Sequence, residues 1–226
     1  MIPFELVDSA PMPGSNDVLR LYRRGSDFSI RLGTCELMNS RMHASEEALA
    51  EQGCASIADR PQPRVLVGGL GMGYTAAAAL RRLGAKCQVV VAELVPAVVQ
   101  WNRGPLADLA GRPLDDARVK VREVDVARIL RSEPDAYDAI LLDVDNGPEA
   151  LTRQGNNWLY AQAGLAATFA ALRPGGVLAI WATDPDRAFV RRLRRAGFTV
   201  EERSERARGG GRGGGHYVIW LATRGK

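Results

Sequence analysis

The sequence reads as an α/β fold built on one mostly parallel sheet, and three observations support that reading. From Val65 onward, short apolar runs alternate with helix-forming segments, the pattern of a parallel sheet covered on both faces. The first run, Val65-Leu66-Val67, passes into Gly68-Gly69-Leu70-Gly71-Met72-Gly73-Tyr74 and then an alanine-rich stretch, which gives strand, glycine turn and helix in the order that cradles a nucleotide. The last two strand-like segments are joined only by the glycine-rich residues 207–215, too short for a crossover helix, so they must pair antiparallel.

Each element follows in order. Residues 18–22 and 28–32 alternate like two short strands around the turn Arg24-Gly25-Ser26-Asp27, residues 35–38 read as a third strand, and residues 45–58 as an amphipathic helix with Ser45 as N-cap. Residues 1–60 are therefore expected to form a β-hairpin region with a linking helix, and residues 61–226 a Rossmann-like nucleotide-binding domain. In that domain strands are expected at 65–68, 88–92, 119–124, 139–142 and 177–181, with closing strands at 198–202 and 217–222. Helices are expected near 74–83, 95–102, 126–131, 158–172 and 184–196, and Pro174-Gly175-Gly176 marks a helix stop and turn. The sum is a seven-stranded, mostly parallel sheet with an antiparallel terminal hairpin.

Acidic residues recur at the strand ends. Glu93 lies about twenty residues past the glycine turn, where a carboxylate can accept both hydroxyl protons of a ribose. Asp125 follows the third strand, and the fourth ends in Asp143-Val144-Asp145-Asn146-Gly147-Pro148. The carboxyl ends of parallel strands share one rim, so Gly69, Gly71, Met72, Gly73, Glu93, Asp125 and Asp143 are expected to converge on one crevice. Single-residue alternatives stand beside this: Glu93 could cap the following helix, and Asp143 could brace a loop.

Composition bounds the partners. The chain has 226 residues, 46% of them hydrophobic, enough for one substantial core, and a net charge of +4 that permits nucleic-acid contact without arguing for it. Cys35, Cys54 and Cys87 are widely spaced, and His43 and His216 are isolated, so neither a metal site nor a disulfide framework is expected. No apolar run approaches the roughly 18 residues of a membrane span, so a cytoplasmic location is the expectation. The basic helix with Arg187, Arg191, Arg192, Arg194 and Arg195, followed by Arg206, Arg208 and Arg212 in the glycine tract, has an RNA-binding flavour. No aromatic residues interleave with those arginines, so a solvated surface is the simpler reading.

A glycine turn written Gly71-x-Gly73-x-x-Ala76 also fits a dinucleotide fingerprint, but the antiparallel closing pair distinguishes the fold from that of the dehydrogenases, and a nicotinamide or flavin oxidoreductase stays as the minor alternative. The closing pair points to the class I S-adenosylmethionine-dependent methyltransferase fold. Within that fold, residues 18–185 resemble the spermidine synthases, or polyamine aminopropyltransferases, in the order of their parts. These are an N-terminal hairpin region, a glycine turn, an acid after each of the second and third strands, and an Asp-rich loop ending in Gly-Pro.

The resemblance implies that Glu93 binds the ribose of decarboxylated S-adenosylmethionine, that Asp125 lies at the adenine amine, and that Asp143 orients or deprotonates the attacking amine. It implies a small-amine substrate, with Asp145 or Asn146 as a further substrate contact. By position alone, Trp158 and Tyr160 follow the acidic loop and could wall the substrate pocket, with simple core packing as the plainer reading. A homodimer is a permitted assembly, and neither nucleic acid nor membrane is expected as a partner. Three departures stand out. Met72 occupies the glycine turn where the family places an Asp near the donor's ammonium, so poor discrimination between decarboxylated S-adenosylmethionine and S-adenosylmethionine is expected. The family's second Asp, three residues after the first and just before a proline, is replaced by the differently spaced Asp145-Asn146-Gly147-Pro148. The family's Tyr-His-Glu stretch has only a faint echo in His43-Ala44-Ser45-Glu46-Glu47. The expected activity is transfer of an aminopropyl or related alkyl group to a small amine. Methyl transfer to a small molecule or RNA is the enzymatic alternative, and an idle nucleotide-binding scaffold the non-enzymatic one.

Overall fold

A computed structural model describes residues 2–143, 157–206 and 216–226. It opens with four strands, β1 (Glu5–Pro11), β2 (Val18–Arg24), β3 (Asp27–Leu32) and β4 (Cys35–Asn39), paired antiparallel in chain order. The hairpin of β2 and β3 and the third strand are where the sequence puts them. Strand β1 was not anticipated, because its pattern is exposed at every position but Ala10 and so carries no alternation to read.

Helix α1 (Ala44–Ala55) follows, and its N-cap is His43 rather than Ser45. The Ser45 hydroxyl instead turns to the Glu46 carboxylate. The main sheet then begins, built from β5 (Arg64–Gly68), β6 (Gln88–Glu93), β7 (Val119–Glu123), β8 (Tyr137–Leu142), β9 (Leu172–Ala182), β10 (Phe198–Arg206) and β11 (His216–Arg224). Between them run α2 (Tyr74–Arg82), α3 (Pro96–Arg103), α4 (Val126–Ser132), α5 (Asn157–Tyr160), α6 (Gln162–Ala171) and α7 (Arg187–Arg195).

The strand order is β10-β11-β9-β8-β5-β6-β7, with β11 antiparallel to both neighbours and the remaining pairs parallel. This is the seven-stranded, methyltransferase-like arrangement expected from the closing pair. Two details differ from the sequence reading. The helix expected over 158–172 is interrupted at Ala161, whose ψ of 163° is extended, so α5 and α6 are separate. Strand β9 starts at Leu172, with a register shift against β8 and a left-handed Gly175 absorbing the Pro174-Gly175-Gly176 turn inside the strand.

Alternation along the strands divides the core. Val65, Val67, Val89, Val91, Leu141 and Ala179 face α1, α2, α3 and the N-terminal sheet. Leu66, Val90, Ile140, Leu142, Leu178 and Ile180 face the side of α4 to α7. Both faces are covered, which is why the central strands read as continuous apolar runs rather than alternating ones. At the foot of the sheet the buried Asp138 carboxylate accepts the backbone N–H of Arg64 at 2.7 Å, pairs with Arg173 at 2.8 Å and meets Arg60, so a charge inside the fold is fully answered.

The strands leave β5 in opposite directions, to β6 and β7 on one side and to β8 and β9 on the other. A crevice opens at the carboxyl ends of β5 and β8, where this order reverses. The backbone N–H of Asp143 donates to Gly68 O at 3.0 Å, tying the two strand ends together at that point.

Candidate active site

A cavity of about 370 Å³ lies over these strand ends. Its walls come from both parts of the chain. Gly69, Gly71, Glu93, Asp125 and Asp143 come from the main sheet's rim, and Met12, Leu37, Met38, Met42 and Glu46 from the N-terminal strands and α1.

The glycine turn forms one wall because its backbone bends in a way only glycine adopts readily. Gly69, Gly71 and Gly73 have φ of 89°, 53° and 86°, all left-handed. At Gly71 a Cβ would also sit 2.9 Å from Met38 Sδ and push that flexible side chain aside. The turn is fastened from below by Asn102, whose Nδ2 donates to Gly71 O at 2.8 Å. Successive left-handed residues throw the intervening side chains away from the cavity. Met72 is fully buried in the core and takes no part in the cavity wall, which corrects the expectation that it faces a bound donor. Gly73 caps α2 behind the turn and also stays out of the lining.

Glu93 is buried at the end of β6, where its two oxygens accept the backbone N–H of Leu70 at 2.9 Å and of Val95 at 2.7 Å. Burial raises its carboxyl above the ordinary range, and these amides partly counter the rise. Each oxygen keeps a second acceptor direction, so Glu93 is oriented by the protein and still able to accept from a ligand. Asp125 is the N-cap of α4, accepting from Ala127 N–H at 2.8 Å, with its side chain exposed at the cavity mouth.

Asp143 ends β8. Its Oδ2 accepts the Thr75 hydroxyl at 2.6 Å, from the first turn of α2. Burial pushes its carboxyl up to about 7, the charge of Glu46 adds to the rise, and the Thr75 hydroxyl opposes it. Glu46, in the first turn of α1, is itself raised by burial and by Glu47. Two acids that hinder each other's ionisation thus line one cavity.

Among the described lining residues there are four carboxylates, Glu46, Glu93, Asp125 and Asp143, and no Lys, Arg or His. In a chain with a net charge of +4, this acidity is local and not a reflection of composition. The cavity therefore attracts cations and repels anions.

The structure brings Gly69, Gly71, Glu93, Asp125 and Asp143 together. It does not bring Tyr160 or Trp158 there: Tyr160 packs edge-on against Phe189 at 5.8 Å in the core, and Trp158 lies under the Arg131 guanidinium. Asp145, Asn146 and the Gly147-Pro148 end of their loop lie outside the described residues, as do Arg208 and Arg212. Sequence reasoning passed over Glu46 as a site residue and missed the methionines of the hairpin region. The acid in the first turn after β4 was the available signal.

No protein-family model matches the chain. It is 32% identical over 189 residues to the polyamine aminopropyltransferase of Mycobacterium tuberculosis, covering 79% of this chain and 34% of that protein. It is 30% identical over 157 residues to the polyamine aminopropyltransferase of Oceanobacillus iheyensis, covering 68% of this chain and 29% of that protein. The chain spans about a third of the length of the curated relatives it matches. Among solved structures, a spermidine synthase in complex with the transition-state analogue AdoDATO superposes with a TM-score of 0.75 at 16% identity, over 97% of this chain and 72% of that one. The spermidine synthase from Thermotoga maritima gives a TM-score of 0.73 at 17% identity, over 97% and 73%. At these identities the superpositions establish the fold, and the sequence matches carry the kinship. The chain is thus similar in sequence to polyamine aminopropyltransferases over about a third of their length and shares the fold of the spermidine synthases.

Proposed function

We propose that this chain is a transferase that moves an aminopropyl group from decarboxylated S-adenosylmethionine to a small amine. The observation that carries the proposal is that every charged residue lining the cavity, among those described, is acidic, because such a donor presents a sulfonium and an ammonium and no anion. Its kinship with polyamine aminopropyltransferases supports the same reading.

In this reading Glu93 accepts from the ribose hydroxyls, and Asp125 at the cavity mouth accepts from the adenine amine. The Met38, Val98 and Val124 side chains supply apolar surface for the rest of the adenosyl group. Asp143, ionised, takes the amine of the acceptor. An amine at neutral pH is mostly protonated, so it attacks only after giving up a proton, and a carboxyl poised near 7 is suited to receive it. The nitrogen lone pair then forms the new N–C bond. The electrons of the breaking S–C bond return to sulfur, and neutral 5′-methylthioadenosine leaves. Holding amine and sulfonium carbon in line within one enclosure supplies much of the acceleration.

The test is mass spectrometry of products after incubation with each sulfonium donor and a panel of mono- and diamines. The proposal expects an aminopropylated amine together with 5′-methylthioadenosine. A methylated product with S-adenosylhomocysteine would make the chain a methyltransferase, and bound donor without turnover would make it a scaffold.

A further inference from the structure

We propose that Glu46 holds the ammonium of the donor's transferable chain, doing from helix α1 what the glycine turn has no side chain to do. The inference rests on the aminopropyl reading above and names the residue that selects the donor.

The turn brings no anion to the cavity. Met72 points into the core, and the turn residues that border the cavity are Gly69 and Gly71. A side chain at Gly71 would have to displace the Met38 thioether, whose Sδ would lie 2.9 Å from a Cβ, and would need the left-handed backbone that only glycine adopts readily. The ammonium of a decarboxylated donor must therefore find its partner elsewhere.

Glu46 meets the requirements. It is 9% exposed, it borders the same cavity as Gly71 and Asp143, and no Lys or Arg among the described residues pairs with it. Its neighbour Glu47 is different, being ion-paired with Arg81 at 2.8 Å and outside the cavity wall. The groups that bear on Glu46 are Ser45 and Glu47 on α1, Tyr74 on α2 and Asp143 just after β8, with His43 at the N-cap of α1. The Ser45 hydroxyl donates to Glu46, the Thr75 hydroxyl donates to Asp143, and the Tyr74 ring stacks on His43 at 4.2 Å. No charge among these neutralises the two carboxylates. A buried carboxylate without a counter-ion either keeps a proton or takes a cation. Burial and the Glu46 charge favour a proton on the pair, and a bound ammonium favours its release.

The consequence is measurable as a preference and as a proton. Wild type should bind decarboxylated S-adenosylmethionine more tightly than 5′-methylthioadenosine, which lacks both the aminopropyl ammonium and the sulfonium charge, by about tenfold or more, with at least one charge-assisted hydrogen bond to the ammonium in that difference. Glu46→Gln should erase most of that preference while leaving 5′-methylthioadenosine affinity within about twofold. Calorimetry in buffers of different ionisation heat should show proton release when wild type binds the decarboxylated donor at neutral pH, and less release in E46Q. Glu47→Gln should match wild type in both respects, and Glu46→Asp, which keeps the charge, should retain part of the preference. If wild type prefers the decarboxylated donor and E46Q keeps that preference and the proton release, Glu46 is not the ammonium's partner, although the aminopropyl reading stands. If wild type shows no preference over 5′-methylthioadenosine, the assignment falls together with that reading. Should E46Q also lose 5′-methylthioadenosine, E46D decides: a variant with the charge but no preference overturns the proposal.

Discussion

Thr75 donates its hydroxyl to Asp143 Oδ2 at 2.6 Å, joining the first turn of α2 to the end of β8 directly beside the glycine turn. The bond favours the ionised carboxylate against the burial and the Glu46 charge that disfavour it. It sets both the orientation of Asp143 and the pH at which it can work. Thr75→Val should leave the fold intact and move the acid limb of the kcat/KM profile upward from its position near 7, because Asp143 must be ionised to accept a proton. A profile that does not move would detach Asp143 from the rate-limiting ionisation.

Asp143→Asn keeps size and loses charge and base. Turnover should fall by about 10²-fold or more, with 5′-methylthioadenosine affinity preserved. The same variant reports on stability. Asp143 holds its proton more tightly folded than unfolded, so its contribution to stability is complete below the ordinary aspartate range and is lost as pH rises through about 7. Thermal melts of the ligand-free protein at about pH 5 and about pH 8 should therefore differ less in the variant than in wild type.

Glu93 is answered by two backbone amides as well as being aimed at the cavity. Glu93→Ala strands the N–H groups of Leu70 and Val95 and should lower stability by about 1–3 kcal/mol in addition to weakening adenosyl ligands. Glu93→Gln retains one acceptor oxygen but sets its NH2 against the second backbone N–H, so it should lose part of the stability that Glu93→Ala loses. It should also bind 5′-methylthioadenosine about tenfold more weakly, through loss of charge-assisted acceptance from ribose. Calorimetry with unchanged affinity would remove Glu93 from the ribose site.

Met72→Asp places a carboxylate among Met72's core neighbours and not beside a ligand. It should cost several kcal/mol and fail to accumulate as a cooperatively melting protein, with no change of donor preference to measure. A folded M72D that prefers the decarboxylated donor would reverse the orientation described for this turn.

These results mark where the sequence was legible. The main sheet could be read because its buried strands are continuous apolar runs, and the acids that end them could be placed because parallel strands share one rim. Asp143, Glu93 and Asp125 sit on that rim as expected. Met72 could not be placed, because three left-handed glycines fix which side chains turn inward, and spacing alone does not reveal that parity. Glu46 was obscured differently. It belongs to a helix that packs over the sheet from the N-terminal part of the chain, and the contact that makes it part of the site exists only in three dimensions. Tyr160 followed the acidic loop in sequence, but the break at Ala161 leaves it in the core against Phe189.

The central claim is that an acidic cavity without a basic lining residue among those described selects a donor with no carboxylate. Competition calorimetry of decarboxylated S-adenosylmethionine against S-adenosylmethionine on the full chain tests it most directly. Tighter binding of the decarboxylated form by about tenfold or more, the scale of one charge-assisted hydrogen bond gained and a like-charge contact avoided, is the expected result. Equal affinity, or a preference for S-adenosylmethionine, would contradict it.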